Sequence, residues 1–152
     1  MTTQRAPAAV LASLAAETAG AAGDWQWLVQ GDEDNPYLVY EKRDRSESGF
    51  PLICDNAARQ AEVSVPLGRA AKRGQPVTIA LIAGEQRIAL KGLAANDNGV
   101  YGHARRVPYR AVVGLLGSAG RVRLAIGARA SELAEAGRHE RLREFVELCK
   151  IK

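Results

Sequence analysis

The sequence predicts one mainly β domain, an antiparallel β-sandwich of about seven to nine strands with a short helix between late strands and an amphipathic helix at the end. Three observations predict it. Short alternating or β-branched apolar runs recur from Trp25 to Ile126, separated by Gly, Pro, Asn and Asp. Asn96-Asp97-Asn98-Gly99 is a strong hairpin signal, because Asn and Gly tolerate positive φ. A longer helical period appears only near the C-terminus, where Leu142, Phe145, Val146 and Cys149 fall at i, i+3, i+4 and i+7.

Each element follows from a local pattern. Trp25–Gln30 alternates, with Trp25, Trp27 and Val29 on one face, and Tyr37–Glu41 pairs with it across the polar turn Gly31–Pro36. Lys42–Gly49 mixes both charge signs and reads as a solvated connector. Pro51–Asp55 and Glu62–Val65 are short strands, the second ended by Pro66 and Gly68. Val77–Ala83 is apolar on both faces and reads as a central strand. Gln86–Lys91 follows a Gly84-Glu85 turn, and Val100–Val107 lies beyond the Asn-Gly turn. Pro108 suits the start of a helix running to Leu116, and Gly117 suits its end. Arg121–Ile126 points Val122, Leu124 and Ile126 inward. Arg129–Ala136 fits either a strand or a helical turn, and Arg138–Lys150 is the closing helix, with Arg138 among its solvated residues.

Residues 1–23 differ from the domain expected over residues 24–152. A short basic start, an alanine-rich stretch from Ala6 to Ala16 and small residues at Ala19 and Ala21 have the layout of a secretory signal. The competing reading is an N-terminal helix lined by Val10, Leu11, Leu14 and Thr18. The chain has no run of about 18 apolar residues, so no conventional membrane-spanning helix is expected.

Charge is unevenly divided along the 152 residues. Residues 1–68 carry 5 basic and 10 acidic side chains, whereas residues 69–152 carry 16 basic and 7 acidic. The basic half offers Arg69, Lys72 and Arg73 in one loop, Arg105, Arg106 and Arg110 around a strand-to-helix junction, and Arg121 and Arg123 on one strand face. Together they are the candidate anion-binding surface. The competing reading is a set of separately solvated faces. Only Tyr101 and Tyr109 lie near as stacking partners, which argues against single-stranded nucleic acid as the ligand.

Other chemistries find little support. The only cysteines, Cys54 and Cys149, form either a disulfide or two separate buried thiols. No C-x-x-C motif is present, and His103 and His139 lack the companions of a zinc site. Asp32, Glu33, Asp34 and Asp55 do not have calcium-loop spacing. No phosphate-binding glycine motif or nucleophile elbow occurs. A scattered nucleophile–histidine–acid site stays open, because its members need not be close in sequence. No cofactor and no metal are expected.

The run Val63-Ser64-Val65-Pro66-Leu67-Gly68, the strand from Val77, the short helix, Leu115-Leu116 before the Arg121–Ile126 strand, and the Phe145-to-Cys149 ending resemble in their layout exported proteobacterial proteins of the invasion-associated locus B type and other small periplasmic proteins. The resemblance spans residues 60–149. It implies a secreted or periplasmic β-sandwich without catalytic residues. The family carries further cysteines around its central strands, whereas this chain has two in all.

The leading expectation is therefore a non-enzymatic exported protein that binds a protein or anionic envelope component. A cytoplasmic nucleic-acid- or anion-binding domain is the alternative, and a hydrolase with a dispersed site is the second.

Overall fold

The computed structural model describes residues 23–68, 71–96 and 99–151. Residues 1–22 of the signal segment expected over residues 1–23, Arg69, and the middle of the Asn-Gly turn lie outside them. Nine strands form in chain order: β1 (Trp25–Gln30), β2 (Tyr37–Lys42), β3 (Ser48–Asp55), β4 (Gln60–Pro66), β5 (Pro76–Ala83), β6 (Gln86–Asn96), β7 (Val100–Ala104), β8 (Val122–Ile126) and β9 (Arg129–Leu133). Helix α1 (Tyr109–Leu116) lies between β7 and β8, and α2 (Arg138–Leu148) follows β9. The ambiguous segment after Gly127 is thus a strand. Among the described residues, no helix is long and apolar enough to cross a membrane.

The expected sandwich is corrected. All nine strands belong to one antiparallel sheet, ordered β1-β2-β3-β4-β7-β6-β5-β8-β9, curled into a half-barrel. Two packed sheets would need a break in the ladder, and here β4 pairs β7 without one, with Ser64 opposite His103 and Val65 opposite Gly102. Small inward residues ease the bend at this point. A Cβ on Gly92 of β6 would lie 2.8 Å from the His103 carbonyl oxygen, so only glycine permits this approach of β6 and β7. Gly102, beside Ala94, is another buried inward position without a side chain.

The concave face carries the core. Trp27, Leu38, Phe50, Leu52, Val63, Val65, Ile79, Leu81 and Leu124 are buried there, joined by Val112, Leu115 and Leu116 of α1 and Leu142 and Phe145 of α2. One sequence expectation fails in α2. Val146 is 37% exposed, and Arg138 is buried instead, at 1%. The buried stripe therefore runs Arg138, Leu142, Phe145, Cys149.

The two arms of the half-barrel are latched through Ala134. The Trp27 indole N–H donates to its carbonyl at 2.7 Å, and its N–H donates to the Tyr40 hydroxyl at 3.0 Å. Further along the strands the arms separate into a cleft of about 660 Å³ between Trp25 and the β2–β3 turn on one side and β8–β9 on the other.

Cys54 and Cys149 form a disulfide with a Cα–Cα distance of 5.8 Å, joining the end of β3 to the residue after α2. Asn56 reinforces the same junction. Its side-chain N–H groups donate to the Glu33 carbonyl at 2.7 Å and the Leu148 carbonyl at 3.1 Å, and its oxygen accepts from the Lys150 N–H at 2.7 Å.

Candidate functional site

The β3–β4 turn, the β7–α1 connection and the C-terminal residues meet beside this junction. The turn is drawn in by the Asp55 carboxylate, which accepts from the Ala58 N–H at 3.0 Å. Arg59 follows with φ +54°. The β7–α1 connection is fixed to the start of β4 by the Val107 N–H, which donates to the Ala61 carbonyl at 3.0 Å, and Arg106 just before it also has φ +54°. Left-handed backbone is uncommon outside glycine and is retained only where the surroundings impose it. The two turns aim Arg59 and Arg106 at the cleft that Arg110 enters from the first turn of α1.

This cleft measures about 560 Å³ and is also lined by Gln60, Pro108, Tyr109 and Ile151. Among the described residues, no carboxylate lines it. A smaller cleft of about 250 Å³ adjoins it, sharing Gln60, Ala61 and Arg106 and adding Arg105, opposite Asp55 and Glu62. Among the described residues, none of Arg59, Arg105, Arg106 and Arg110 takes part in an ion pair. Helix α1 adds to the positive field. Its N-cap is Pro108, no side chain caps it, and its first turn holds no acidic residue, so its first N–H groups lack compensation.

The structure separates the other sequence candidates from this cleft. Arg121 pairs with Glu132 at 3.4 Å. Arg123 sits on β8 between Ile82 and Glu132, three places from β7 in the sheet. Lys72 and Arg73 are exposed in the loop before β5, which is tied to the far end of β6 by the Gly74 N–H donating to the Ala94 carbonyl at 2.8 Å. Arg105, Arg106 and Arg110 come together as a group, and Arg59 joins them. Sequence reading missed Arg59 because the chain brings it there through the β3–β4 turn and the non-sequential β4–β7 pairing.

Tyr109 forms part of the cleft wall, with its ring 6.4 Å from that of Phe145 and its hydroxyl buried without a partner among the described residues. Burial pushes its pKa above the usual tyrosine value. Burial does the same at Tyr40, opposed by the Ala134 N–H and aided by Glu132. Raised phenol values contribute stability that is complete below about pH 10 and is lost as pH rises through the folded-state values. Alkaline unfolding followed by circular dichroism should therefore be less steep above about pH 10 in Tyr40→Phe and Tyr109→Phe than in wild type. Superimposable alkaline limbs would show that neither phenol is linked to folding.

Among the described residues, one nucleophile–histidine contact exists. The Ser64 hydroxyl and His103 Nδ1 lie 2.6 Å apart across β4 and β7. His103 stacks near Tyr101, with ring centroids 6.2 Å apart. The pair lies within the sheet, with Ser64 directly opposite His103 in the β4–β7 ladder. Among the described residues, no group of three or more His, Cys, Asp or Glu is placed to hold a metal ion. His139 contacts the Ser118 carbonyl at 3.1 Å.

The arrangement can bind an anion by charge-assisted hydrogen bonds from guanidinium groups. No family model, no curated protein and no solved structure matches the chain.

Proposed function

We propose that this protein is a non-enzymatic exported binding domain that holds an anionic component of the cell envelope in the cleft of Arg59, Arg106 and Arg110, with Arg105 at its rim. The observation that carries this reading is the convergence on one cleft of three arginines that, among the described residues, have no ion-pair partner and no carboxylate beside them in the lining. An uncompensated set of guanidinium groups favours a ligand that brings the missing charge. The Cys54–Cys149 bridge supports the exported location, because structural disulfides persist mainly in oxidising compartments. The signal-like composition of residues 1–23 and the layout shared with proteins of the invasion-associated locus B type agree with it.

The backbone supplies a test that separates binding from folding. Glycine adopts φ +54° without strain, so Arg59→Gly with Arg106→Gly removes two guanidinium groups while relieving two left-handed residues. The double variant should melt at or near the wild-type temperature. It should bind inorganic polyphosphate about tenfold more weakly, with a shallower salt dependence between about 50 and 200 mM. Arg121→Glu with Arg123→Glu should change binding far less. Equal polyphosphate binding by wild type and the double glycine variant would remove the cleft as the site. The intact mass of protein from its native cells tests the location. Loss of a leader with both cysteines protected from alkylation supports export. A full-length chain with two free thiols overturns it and favours the cytoplasmic anion-binding alternative.

A further inference from the structure

We propose that the separate cleft between the arms of the half-barrel binds a small single-tailed amphiphile with a carboxylate head, seated with its tail on the sheet and its head at Arg129. At about 660 Å³ the cleft is in the size range of small-molecule sites. Its walls include Trp25, Leu124, Ile126 and Tyr101, an apolar lining suited to an alkyl chain. Trp25 is held as a flat wall by stacking on Tyr40, with centroids 5.0 Å apart and planes 15° apart. Sheet curvature creates this space, because the Ala134 latch draws the arms together beside it and leaves them apart here.

The polar groups decide the kind of head. Among the described residues, the cleft has one carboxylate and one guanidinium in its lining. Glu47 is already paired with Lys42 at 3.5 Å. Arg129 has no ion-pair partner among the described residues. One of its terminal nitrogens donates to the Leu67 carbonyl at 2.5 Å, which fixes the guanidinium at the rim. A guanidinium has five N–H donors, so this anchor leaves others for a planar, bidentate acceptor. Ser131 adds a hydroxyl on the same strand. An apolar wall, an anchored and uncompensated guanidinium and a neighbouring hydroxyl together match an alkyl carboxylate.

Titration of the full-length protein with decanoate, decanol and decyltrimethylammonium, by calorimetry and tryptophan fluorescence, tests the assignment. Decanoate should bind saturably at one site and about tenfold more tightly than the cationic amphiphile, the size expected of a charge-assisted contact. Arg129→Gln should erase that preference and leave decanol binding as it was. Ser131→Trp, which fills the cleft and keeps the arginine in the chain, should abolish binding of both decanoate and decanol. The Arg59→Gly, Arg106→Gly variant should bind decanoate like wild type, since the two clefts share no residue. Absence of saturable decanoate binding, equal affinity for the anionic and cationic amphiphiles, undiminished binding to Ser131→Trp, or loss of binding in the double glycine variant would each overturn the proposal.

Discussion

Replacing both Cys54 and Cys149 with alanine should lower the melting temperature by roughly 10 to 20 °C. The bridge closes a separation of 95 residues, which in the chain-entropy model corresponds to about 4 to 5 kcal/mol taken from the unfolded ensemble. Alanine is the appropriate replacement, because both positions are buried and a hydroxyl there would need a partner. Reduction of the wild type by dithiothreitol should reproduce the shift. A change under about 2 °C would show that the unfolded chain is already held compact at this junction, leaving little entropy for the bridge to remove.

The same variant connects stability to the basic cleft. Arg59 lies five residues after Cys54, and Ile151 two after Cys149, so the bridge staples two walls of the cleft to each other. Asn56 remains in the variant and continues to hold Leu148 and Lys150. The alanine variant should therefore keep its fold at room temperature while binding polyphosphate more weakly. Binding at the wild-type level would mean that Asn56 alone sets the spacing.

The strands were readable because each is local. Alternation in Trp25–Gln30 and Arg121–Ile126 and the turns between runs specify β structure without knowledge of partners. Strand order is a different kind of information. The pairing of β4 with β7 skips two strands, and the close approach of β6 to β7 needs Gly92 to lack a side chain, neither of which periodicity encodes. The site divides in the same way. Arg105, Arg106 and Arg110 are close in sequence and were recognisable as a group, whereas Arg59 reaches them only through the fold. Arg123 lies on β8 and Arg121 just before it, and Glu132 of β9 meets both, pairing with Arg121 and lying opposite Arg123. In α2 the apolar period favoured Val146. Its place inside is taken by Arg138, because the core there needs hydrogen-bond donors, a requirement that a hydrophobic pattern cannot express.

Arg138→Met should destabilise the protein by about 2 to 4 kcal/mol. The Arg138 guanidinium donates through Nε to the Leu116 carbonyl at 3.0 Å and through one terminal nitrogen to the Ser118 and Gly120 carbonyls, both at 2.9 Å. These acceptors are the end of α1 and the loop that leads into β8. A cation at a helix C-terminus also opposes the negative end of its dipole. One side chain from the start of α2 thus fixes where α1 stops and where the next strand begins. Against this stands the cost of burying a charge. No carboxylate forms an ion pair with it among the described residues, and burial pushes the Arg138 pKa below its usual value, with Glu135 opposing. Methionine keeps much of the length and removes the charge, so it sets three lost hydrogen bonds against the recovered desolvation. The hydrogen bonds should prevail, because the Leu116 carbonyl is held in the last turn of α1 and cannot turn towards water without unwinding it. Arg138→Lys should fall between the two, since one ammonium cannot reach three carbonyls in the geometry of a planar fork. Chemical denaturation of the three proteins measures the order directly. A methionine variant as stable as wild type would show that the buried charge costs as much as its hydrogen bonds contribute, and that apolar packing of α2 alone sets the position of α1.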